Sequence, residues 1–570
     1  MNPVPWTGVM LRRVAVIALL AGVFAAPAKA APIRGQTLMP GVVYSRQLEF
    51  TAHGPVVVHV ISAPKPVGGL YQLKPVLSNN AILGRERVTA MQRAVSPVAT
   101  VAGVNGDLFS WRDGHPTGAL IRSGVLDSTP SADRSSIGID TDGMLHVERL
   151  AMAGTWKGTG QRRQLDVNEP ATTKRTTLYT SAWGPRTPTE GNAVEATLLP
   201  FPATTPNKAL TAPITQVVQG GNQPIPPGGA VLVARNDGQF LTQEAPVGTT
   251  VSVTLLLTPP WANVTDAIGG GPAIVRNGKP VFRSFELFTD AQLAGHSART
   301  AVGQTADGRV LLVAVDGQQP GYSTGLTNFE LALLMMRLGA VTASALDSGG
   351  STTMAFDGKL LNRPSDAGGE RAVAEALLVF YYGVYAPALA DPVLSPNGDG
   401  TADSESFSYK LVRPSTVTAS LVGPGGAAIP LDSGRRDPGV YRFSWAGRNP
   451  DGSSASEGKW TFSVAASDDQ GRQSTSERQF SLNATLGFLA ARADGTRMTA
   501  TFKLARPARI ATRIETPSGA IVRTLPGRSL NAGTAATSWR GRSGRYVLSV
   551  TATNEIGSVE QTAPFVLGRG

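Results

Sequence analysis

The sequence predicts a multidomain protein in which a mixed α/β, strand-rich domain precedes two all-β sandwiches. The chain has 570 residues, of which 41% are hydrophobic, so it is too long for one core and apolar enough to bury several. Charged residues make up only 16%, while 64 glycines and 41 prolines favour strands and turns over helical bundles. A change of composition and a long internal repeat after Tyr385 separate the sandwiches from the first domain.

Residues 1–30 have the three parts of a secretory signal peptide. The pair Arg12-Arg13 precedes an apolar run over residues 14–26, and Ala28-Lys29-Ala30 supplies the small residues of a cleavage site. The run is too short to span a bilayer comfortably, so we expect cleavage after Ala30 rather than an uncleaved anchor. We therefore expect an exported protein, periplasmic or extracellular, without an integral membrane span.

Charge and cysteine content exclude several classes of function. The net charge is +11, but the cations are scattered, and the densest group is Arg162-Arg163 with Lys174-Arg175 nearby. No basic stripe is visible, so we expect no nucleic-acid partner, and only a weak attraction to an acidic cell envelope or a polyanionic glycan. The chain has no cysteine, which excludes a disulfide scaffold, a cysteine-ligated zinc site and a thiol nucleophile.

The first domain is expected over residues 31–387, and it mixes strands with a few helices. Apolar runs predict strands at 56–61, 98–104, 231–234, 251–255 and 310–315. A helix is predicted over 327–338, because Thr327 and Glu330 have the spacing of a capping box and Gly339 follows. A second helix is predicted over 371–377.

The rest of the chain is predicted to form two sandwiches, at 391–485 and 486–570. The motif Lys-Leu-x-Arg-Pro occurs at 410–414 and again at 503–507, and Trp-x-Gly recurs as well. Short alternating strands with a repeat of this length indicate tandem domains of immunoglobulin-like type. The segment resembles the immunoglobulin-like modules found behind bacterial flagellar-hook and secreted-enzyme domains. Its tryptophans are expected in the cores rather than as sugar platforms; they are Trp445, Trp460 and Trp539.

Five segments of the first domain place polar or glycine-rich residues at predicted strand ends, where clefts form. They are Asn105-Gly106-Asp107-Leu108-Phe109, Gly269-Gly270-Gly271-Pro272, His296-Ser297-Ala298-Arg299, Asp316-Gly317 and Asp347-Ser348-Gly349-Gly350-Ser351-Thr352-Thr353. Glycine turns let backbone N–H groups approach an anion, and an arginine can hold a phosphate or carboxylate with two hydrogen bonds. These residues therefore predict a site for an anionic substrate.

Taken in this order, the motifs resemble the phosphodiester glycosidase family, which includes the lysosomal uncovering enzyme. That enzyme removes N-acetylglucosamine from a mannose-6-phosphate diester. The resemblance runs over about residues 105–382, within a motif core at 98–385. It implies hydrolysis of the sugar–phosphate bond in a sugar-1-phosphodiester, in an envelope or extracellular glycan, with no cofactor. The family usually has glycine where Ser348 stands, so a positive φ there would cost roughly 1 kcal/mol.

Three aspartates are the candidate catalytic residues of this site. We expect Asp316 and Asp347 to be the acid/base or nucleophile pair, with Asp107 in reserve. Arg299 and the backbone at 349–351 are expected to bind the phosphate. The complete set of predicted substrate-binding residues is Asn105, Arg299, His296, Gly349, Gly350, Ser351 and Thr352.

Two other functions are compatible with parts of the sequence. A glycosidase-like domain that binds a phosphoglycan without cutting it would make the chain an envelope-binding or adhesion protein, and Ser348 keeps this alternative open. The run Asp347-Ser348-Gly349-Gly350, together with His53, also resembles chymotrypsin-like proteases. Leu346 stands where those proteases have glycine, and a helix lies just upstream, so the protease interpretation is rejected.

The segment that joins the first domain to the sandwiches offers a weak calcium candidate. Asn397, Asp399 and Asp403 have a spacing that could bind Ca²⁺ through oxygen atoms. The same residues form Asn-Gly and Asp-Gly pairs typical of turns, which is the favoured interpretation. No other metal site is expected.

Overall fold

The computed structural model describes residues 35–170, 175–189, 191–236, 238–281 and 284–568. The predicted signal peptide lies outside these residues. Within them the chain is β-rich and multidomain, and the first domain holds only four short α-helices, so the mixed α/β label does not fit it. No helix in the described part is both long and apolar enough to cross a membrane.

The first domain consists of 25 strands and four helices within the described ranges. Its strands are β1 (Gln36–Met39), β2 (Val42–Thr51), β3 (Gly54–Ala63), β4 (Tyr71–Leu77), β5 (Thr100–Asn105), β6 (Leu120–Arg122), β7 (Val125–Ser128), β8 (Ser135–Asp140), β9 (Leu145–Arg149), β10 (Ala151–Lys157), β11 (Arg163–Val167), β12 (Thr176–Thr180), β13 (Ala193–Leu198), β14 (Ala209–Gln219), β15 (Ala230–Arg235), β16 (Thr250–Thr258), β17 (Val264–Gly269), β18 (Ala273–Arg276), β19 (Lys279–Pro280), β20 (Arg299–Thr305), β21 (Val310–Val315), β22 (Ala340–Ala345), β23 (Met354–Phe356), β24 (Lys359–Leu360) and β25 (Glu375–Tyr381). Its helices are α1 (Val88–Val95), α2 (Gln239–Glu244), α3 (Asp290–Ala294) and α4 (Asn328–Arg337).

Three sheets surround the main core of this domain. An eight-stranded antiparallel sheet has the order β1-β2-β3-β21-β20-β22-β18-β19, and two five-stranded sheets have the orders β24-β23-β5-β25-β4 and β7-β6-β17-β8-β9. Ile61, Leu312 and Leu377 pack together between the sheets, while α4 covers the other face of the eight-stranded sheet through Leu331 and Met335. Strands β3 and β21 are almost wholly apolar because both of their faces are buried.

A seven-stranded closed barrel is inserted in the middle of the first domain, and the sequence did not predict it. Its order is β10-β11-β12-β15-β13-β14-β16, and its interior is filled around Trp156. Two arginines of the densest basic group lie here. Arg163 pairs with Glu244 at 2.6 Å and Arg175 pairs with Asp166 at 2.7 Å, so these two cations are neutralised rather than gathered on a basic face.

The expected helix at 371–377 is wrong, whereas the helix at 327–338 is confirmed. Residues 375–381 form β25, which is buried along its whole length between β5 and β4. Its alanines and leucines have high helix propensity, but pairing on both sides and burial of both faces override it. In α4, Thr327 and Glu330 make both hydrogen bonds of a capping box, and Gly339 follows with a φ of +92°.

The C-terminal part forms two sandwiches with separate cores. Its strands are β26 (Val393–Leu394), β27 (Glu405–Leu411), β28 (Ser415–Val422), β29 (Ala428–Arg436), β30 (Gly439–Trp445), β31 (Gly458–Asp468), β32 (Gln473–Leu482), β33 (Leu486–Asp494), β34 (Arg497–Leu504), β35 (Ala508–Glu515), β36 (Ile521–Leu530), β37 (Gly533–Arg540), β38 (Gly544–Thr553) and β39 (Ser558–Leu567). The first sandwich pairs β26-β32-β31-β28-β29 with β27-β30, and the second pairs β33-β34-β37 with β36-β35-β38-β39. Trp445 and Trp460 are buried in the first core, and Trp539 packs against the second.

The calcium candidate is a set of turns that joins the two sandwiches. Asp403 accepts hydrogen bonds from the N–H groups of Gly398 and Gly400, both at 2.7 Å. Asp399 accepts from the Phe488 N–H at 2.7 Å and from the Gln561 amide at 2.6 Å, and Asn397 Oδ1 accepts from the Asp399 N–H. Because N–H donors occupy these oxygens, the geometry supports turns and an inter-sandwich contact rather than an ion site.

Candidate active site

The loop at 347–353 follows β22 and is held in place by Asn105, at the end of β5. Asn105 is fully buried, and its Nδ2 donates to the carbonyl of Asp347 at 2.9 Å. Its Oδ1 accepts from the Thr300 hydroxyl at 2.8 Å and from the Thr353 N–H at 3.1 Å. These contacts use both ends of the amide. Asn105 therefore positions the loop, and its contact with substrate stays a prediction.

Asp347 carries the carboxyl group at the centre of the site. The N–H of Ser348 donates to its Oδ1 at 2.8 Å, and Ser351 supplies a side-chain hydrogen bond. Burial raises the pKa of Asp347 to about 6, and the negative charge of Asp107 adds to the rise, while the two hydrogen bonds and Arg371 oppose it. A carboxyl group with this pKa changes protonation state near neutral pH, which suits acid or base chemistry.

Asp107 lies behind Asp347 and is committed to an ion pair with Arg134. The two guanidinium Nη atoms donate to its oxygens at 2.7 and 3.1 Å, and both side chains are buried. A Cβ at Gly118 or Gly269 would overlap Asp107 Oδ2, so both glycines are needed to seat the carboxylate. Asp107 is therefore a positioning residue that raises the pKa of Asp347, rather than a reserve catalytic group.

Glu375, at the start of β25, is a second buried carboxyl group that the sequence prediction missed. Its Oε1 accepts from the Asp107 N–H at 3.3 Å, and its Oε2 is buried without a hydrogen-bond partner. Burial, followed by the charge of Asp107, holds the pKa of Glu375 well above its ordinary value. The sequence signal that could have identified Glu375 is an acidic residue at the start of an otherwise apolar run.

Arg371 is the cation of the site, and the sequence prediction had placed it only in a helix. It pairs with Asp366 through Nε at 2.7 Å and Nη2 at 2.8 Å, and its Nη1 lies 3.3 Å from the Ser351 hydroxyl. A Cβ at Gly350 would overlap both Arg371 and Asp366, so glycine there lets the ion pair lie against the loop. The guanidinium also lies 5.1 Å from the ring of Trp111, which is 64% exposed.

The remaining loop residues complete the cleft. Gly349 has a φ of +62°, and a Cβ there would come within 3.5 Å of Gln318 and 3.6 Å of Ser297. Ser348 has a φ of −126°, which is extended backbone open to any residue, so the expected strain at this position is absent. Thr352 is buried with its hydroxyl unpaired and with its carbonyl bonded to Asn362.

Both carboxylate oxygens of Asp316 are engaged in hydrogen bonds within the protein. Its Oδ2 contacts His59 Nε2 and the Tyr322 hydroxyl, both at 2.9 Å, and its Oδ1 accepts from Asn362 and from the Arg363 N–H, both at 3.1 Å. Both oxygens of this fully buried carboxylate are occupied. The geometry therefore does not support the predicted pairing of Asp316 with Asp347, and it assigns Asp316 to the support of the cleft.

Arg299 and His296 also differ from the prediction. Arg299 is buried and donates to three carbonyls, those of Leu326, Gln292 and Gly295, at 2.8, 2.8 and 2.6 Å. Burial lowers the pKa of Arg299 to about 10, and its guanidinium ties α3 to the segment before α4 instead of binding phosphate. His296 contacts Glu330 and His53.

Two parts of the chain are similar to known families. A family model described as phosphodiester glycosidase matches residues 206–380, which include the loop at 347–353, Arg371 and Glu375. Residues 206–380 of the chain are thus similar to the phosphodiester glycosidase family. The FlgD Ig-like domain model matches residues 401–470, inside the first sandwich. The resemblances inferred from the motifs are thereby confirmed.

Individual relatives match parts of this chain. The SPbeta prophage-derived uncharacterized protein YomE of Bacillus subtilis (strain 168) is 37% identical over 108 residues, which is 19% of this chain and 16% of that protein. The N-acetylglucosamine-1-phosphodiester alpha-N-acetylglucosaminidase of Bos taurus is 41% identical over 70 residues, which is 12% of this chain and 13% of that enzyme. The chain thus covers less than a fifth of either relative's length. A solved structure of a hypothetical protein from Synechocystis is 25% identical with a TM-score of 0.52, covering 62% of this chain and 64% of that one.

Proposed function

We propose that the protein is an exported glycosidase that hydrolyses the sugar–phosphate bond of a sugar-1-phosphodiester. The observation that supports this most directly is the arrangement at the loop 347–353. The carboxyl group of Asp347, with a pKa of about 6, lies within the electrostatic influence of Arg371, whose guanidinium is 5.1 Å from the exposed ring of Trp111. The cleft thus offers a base or nucleophile, a cation for phosphate and an apolar surface for a sugar ring.

Each part has a task in the reaction. Arg371 still has N–H groups beyond those given to Asp366, and these can donate to a phosphate oxygen. The sugar ring can pack against Trp111, which is 64% exposed. Asp347 either takes the proton of a water that attacks the anomeric carbon or attacks that carbon itself, as the bond from the carbon to the phosphate oxygen breaks. In the second route a water molecule then hydrolyses the sugar–Asp347 ester and releases the free sugar.

The leaving phosphate takes the electron pair of the broken bond, and Arg371 stabilises the added charge. Phosphate leaves without full protonation, so electrostatic stabilisation can replace the strong general acid that ordinary glycosides need. This agrees with a cleft in which Glu375 is buried behind Asp107 rather than facing the substrate. The signal-peptide pattern at residues 1–30 supports export to a compartment that contains such glycans.

The test is hydrolysis of a small panel of substrates by the purified full chain. The panel contains N-acetylglucosamine-1-phosphate methyl diester, its glucose analogue and, as the phosphate-free comparison, methyl N-acetylglucosaminide. We expect release of free sugar and a phosphomonoester from at least one diester and none from the phosphate-free glycoside. Asp347→Asn should abolish this release, whereas Asp142→Asn, an exposed turn residue outside the cleft, should leave it unchanged.

The alternative of a phosphoglycan-binding protein without activity loses its main support, because Ser348 is unstrained. It remains an outcome of the same test. Saturable binding of a diester without release of sugar would establish it, and neither binding nor release would overturn both functions.

A further inference from the structure

Three potential metal ligands from separate segments converge at one edge of the first domain. His53 lies in the turn between β2 and β3, His296 lies between α3 and β20, and Glu330 lies in the first turn of α4. One ligand atom from each residue lies within 4.8 Å of the other two. The chain has only five histidines, and two of them meet here.

The distances within this trio approach those of a metal site. His296 Nε2 lies 3.2 Å from Glu330 Oε2, and it is buried without the alignment of a hydrogen bond. Tetrahedral bonds of about 2.1 Å to a shared ion place two ligand atoms about 3.4 Å apart. This pair therefore already has the separation that a common ion requires. The ring of His53 lies 4.2 Å from that of His296, on an exposed turn.

The chemistry of the three ligands selects the kind of ion. Two imidazole nitrogens with one carboxylate suit zinc and similar divalent transition metals, whereas calcium and magnesium prefer a shell of oxygen atoms. Glu330 Oε2 also accepts from the N–H and the hydroxyl of Thr327, at 2.8 and 2.9 Å. These capping hydrogen bonds fix the direction of the carboxylate, and the ligand atom of the trio that has no hydrogen-bond partner is His296 Nε2.

We propose that His53, His296 and Glu330 form a binding site for a zinc-like divalent transition metal ion. Three protein ligands leave a fourth position for water. The ion joins the β2–β3 turn, the segment before β20 and α4, and so it stabilises the folded first domain by binding the native state alone. This proposal is independent of the glycosidase function, because it rests on residues outside the cleft.

The test uses the full chain, purified without a histidine tag, stripped with a chelator and dialysed against metal-free buffer. Zn²⁺ and Co²⁺ are titrated by calorimetry, and the thermal transition is recorded with and without Zn²⁺. His53→Ala, His296→Ala and Glu330→Gln each remove one ligand, and glutamine keeps the capping box. His146→Ala is the matched control, because it removes a partly exposed histidine that pairs with a single carboxylate, Asp140, at 2.8 Å.

We expect one equivalent of Zn²⁺ to bind and to raise the melting temperature of the wild type and of His146→Ala. Each ligand variant should bind at least about tenfold more weakly and lose the rise in melting temperature. Should His53→Ala bind Zn²⁺ as tightly as the wild type, or should His146→Ala weaken binding as much as His53→Ala does, the trio is an ordinary surface ion pair and the proposal fails.

Discussion

Replacing Asp347 with asparagine should make the protein more stable at neutral pH while it abolishes turnover. Asparagine keeps the size of the side chain and an oxygen that can accept from the Ser348 N–H, but it cannot ionise. In the wild type, burial raises the pKa of Asp347 from 3.8 to about 6, so ionising this group costs the folded state free energy. At 1.36 kcal/mol per pH unit this cost is at most about 3 kcal/mol, and a weakened hydrogen bond to Ser351 offsets about 1 kcal/mol of the gain.

The sign of the pH dependence follows from the raised pKa. Between about pH 4 and 6 the folded wild type binds the proton more tightly than the unfolded chain does, so its stability rises as the pH falls. The advantage of Asp347→Asn is therefore complete above pH 6 and disappears below pH 4. Urea unfolding of both proteins at pH 7 and at pH 4 measures this difference. The control is Asp140→Asn. Partial burial of Asp140 acts to raise the pKa of its carboxyl group, but hydrogen bonds from His146 and from the Met144 N–H lower it overall. The Asp140→Asn variant should therefore lose stability at pH 7.

Two results would contradict this reasoning. If Asp347→Asn is less stable than the wild type at pH 7, the carboxylate is held in its charged form and the burial argument is wrong. If it gains stability yet keeps full turnover, the chemistry belongs to another carboxylate, and Asp316 returns as the first candidate.

The remaining predictions concern the cation and its surroundings. Arg371→Lys keeps the charge but loses the paired geometry, so kcat/KM for a sugar-1-phosphodiester should fall about 10-fold to 1000-fold. Gly350→Ala should push the Arg371 ion pair from the loop and lower kcat/KM, whereas Gly368→Ala, with open space around the new methyl group, should not. Arg299→Lys should reduce stability by about 2–5 kcal/mol in chemical unfolding, because a single ammonium cannot serve three buried carbonyls, while kcat/KM of the folded protein stays near wild type.

The order of several motifs, rather than any one of them, singled out the loop at 347–353 as a candidate site, since glycines and hydroxyls beside an aspartate are by themselves typical of an ordinary turn. The same signals could not show whether a polar group is already used inside the protein. In the sequence, Asp316 and Arg299 look free to contact a substrate. In the structure, the Asp316 carboxylate is hydrogen-bonded to His59 and Tyr322, and the Arg299 guanidinium donates to main-chain carbonyls.

Secondary structure shows the same limit. Five apolar runs became strands and the capped helix formed, since local chemistry and burial agree there. At β25 they disagree. Residues 371–377 favour a helix locally, but pairing with both β5 and β4 makes residues 375–381 a strand. Glu375 is placed in the site by the start of this strand, and Arg371 by the segment just before it. The inserted barrel was not predicted, because the sequence of a short strand does not show which other strands it will pair with, and so does not show that the sheet closes into a barrel.

The ion pairs around the cleft also have a consequence for charge balance. Two ion pairs, Arg134 with Asp107 and Arg371 with Asp366, are each neutral, so among these five residues Asp347 decides the net charge. When Asp347 is ionised, the residues together are one charge negative, and an arriving phosphodiester adds a second. When Asp347 holds its proton, the arriving anion meets a neutral set. Binding of the substrate anion is thus coupled to uptake of a proton from solvent, so substrate affinity and protonation rise together as the pH falls through 6.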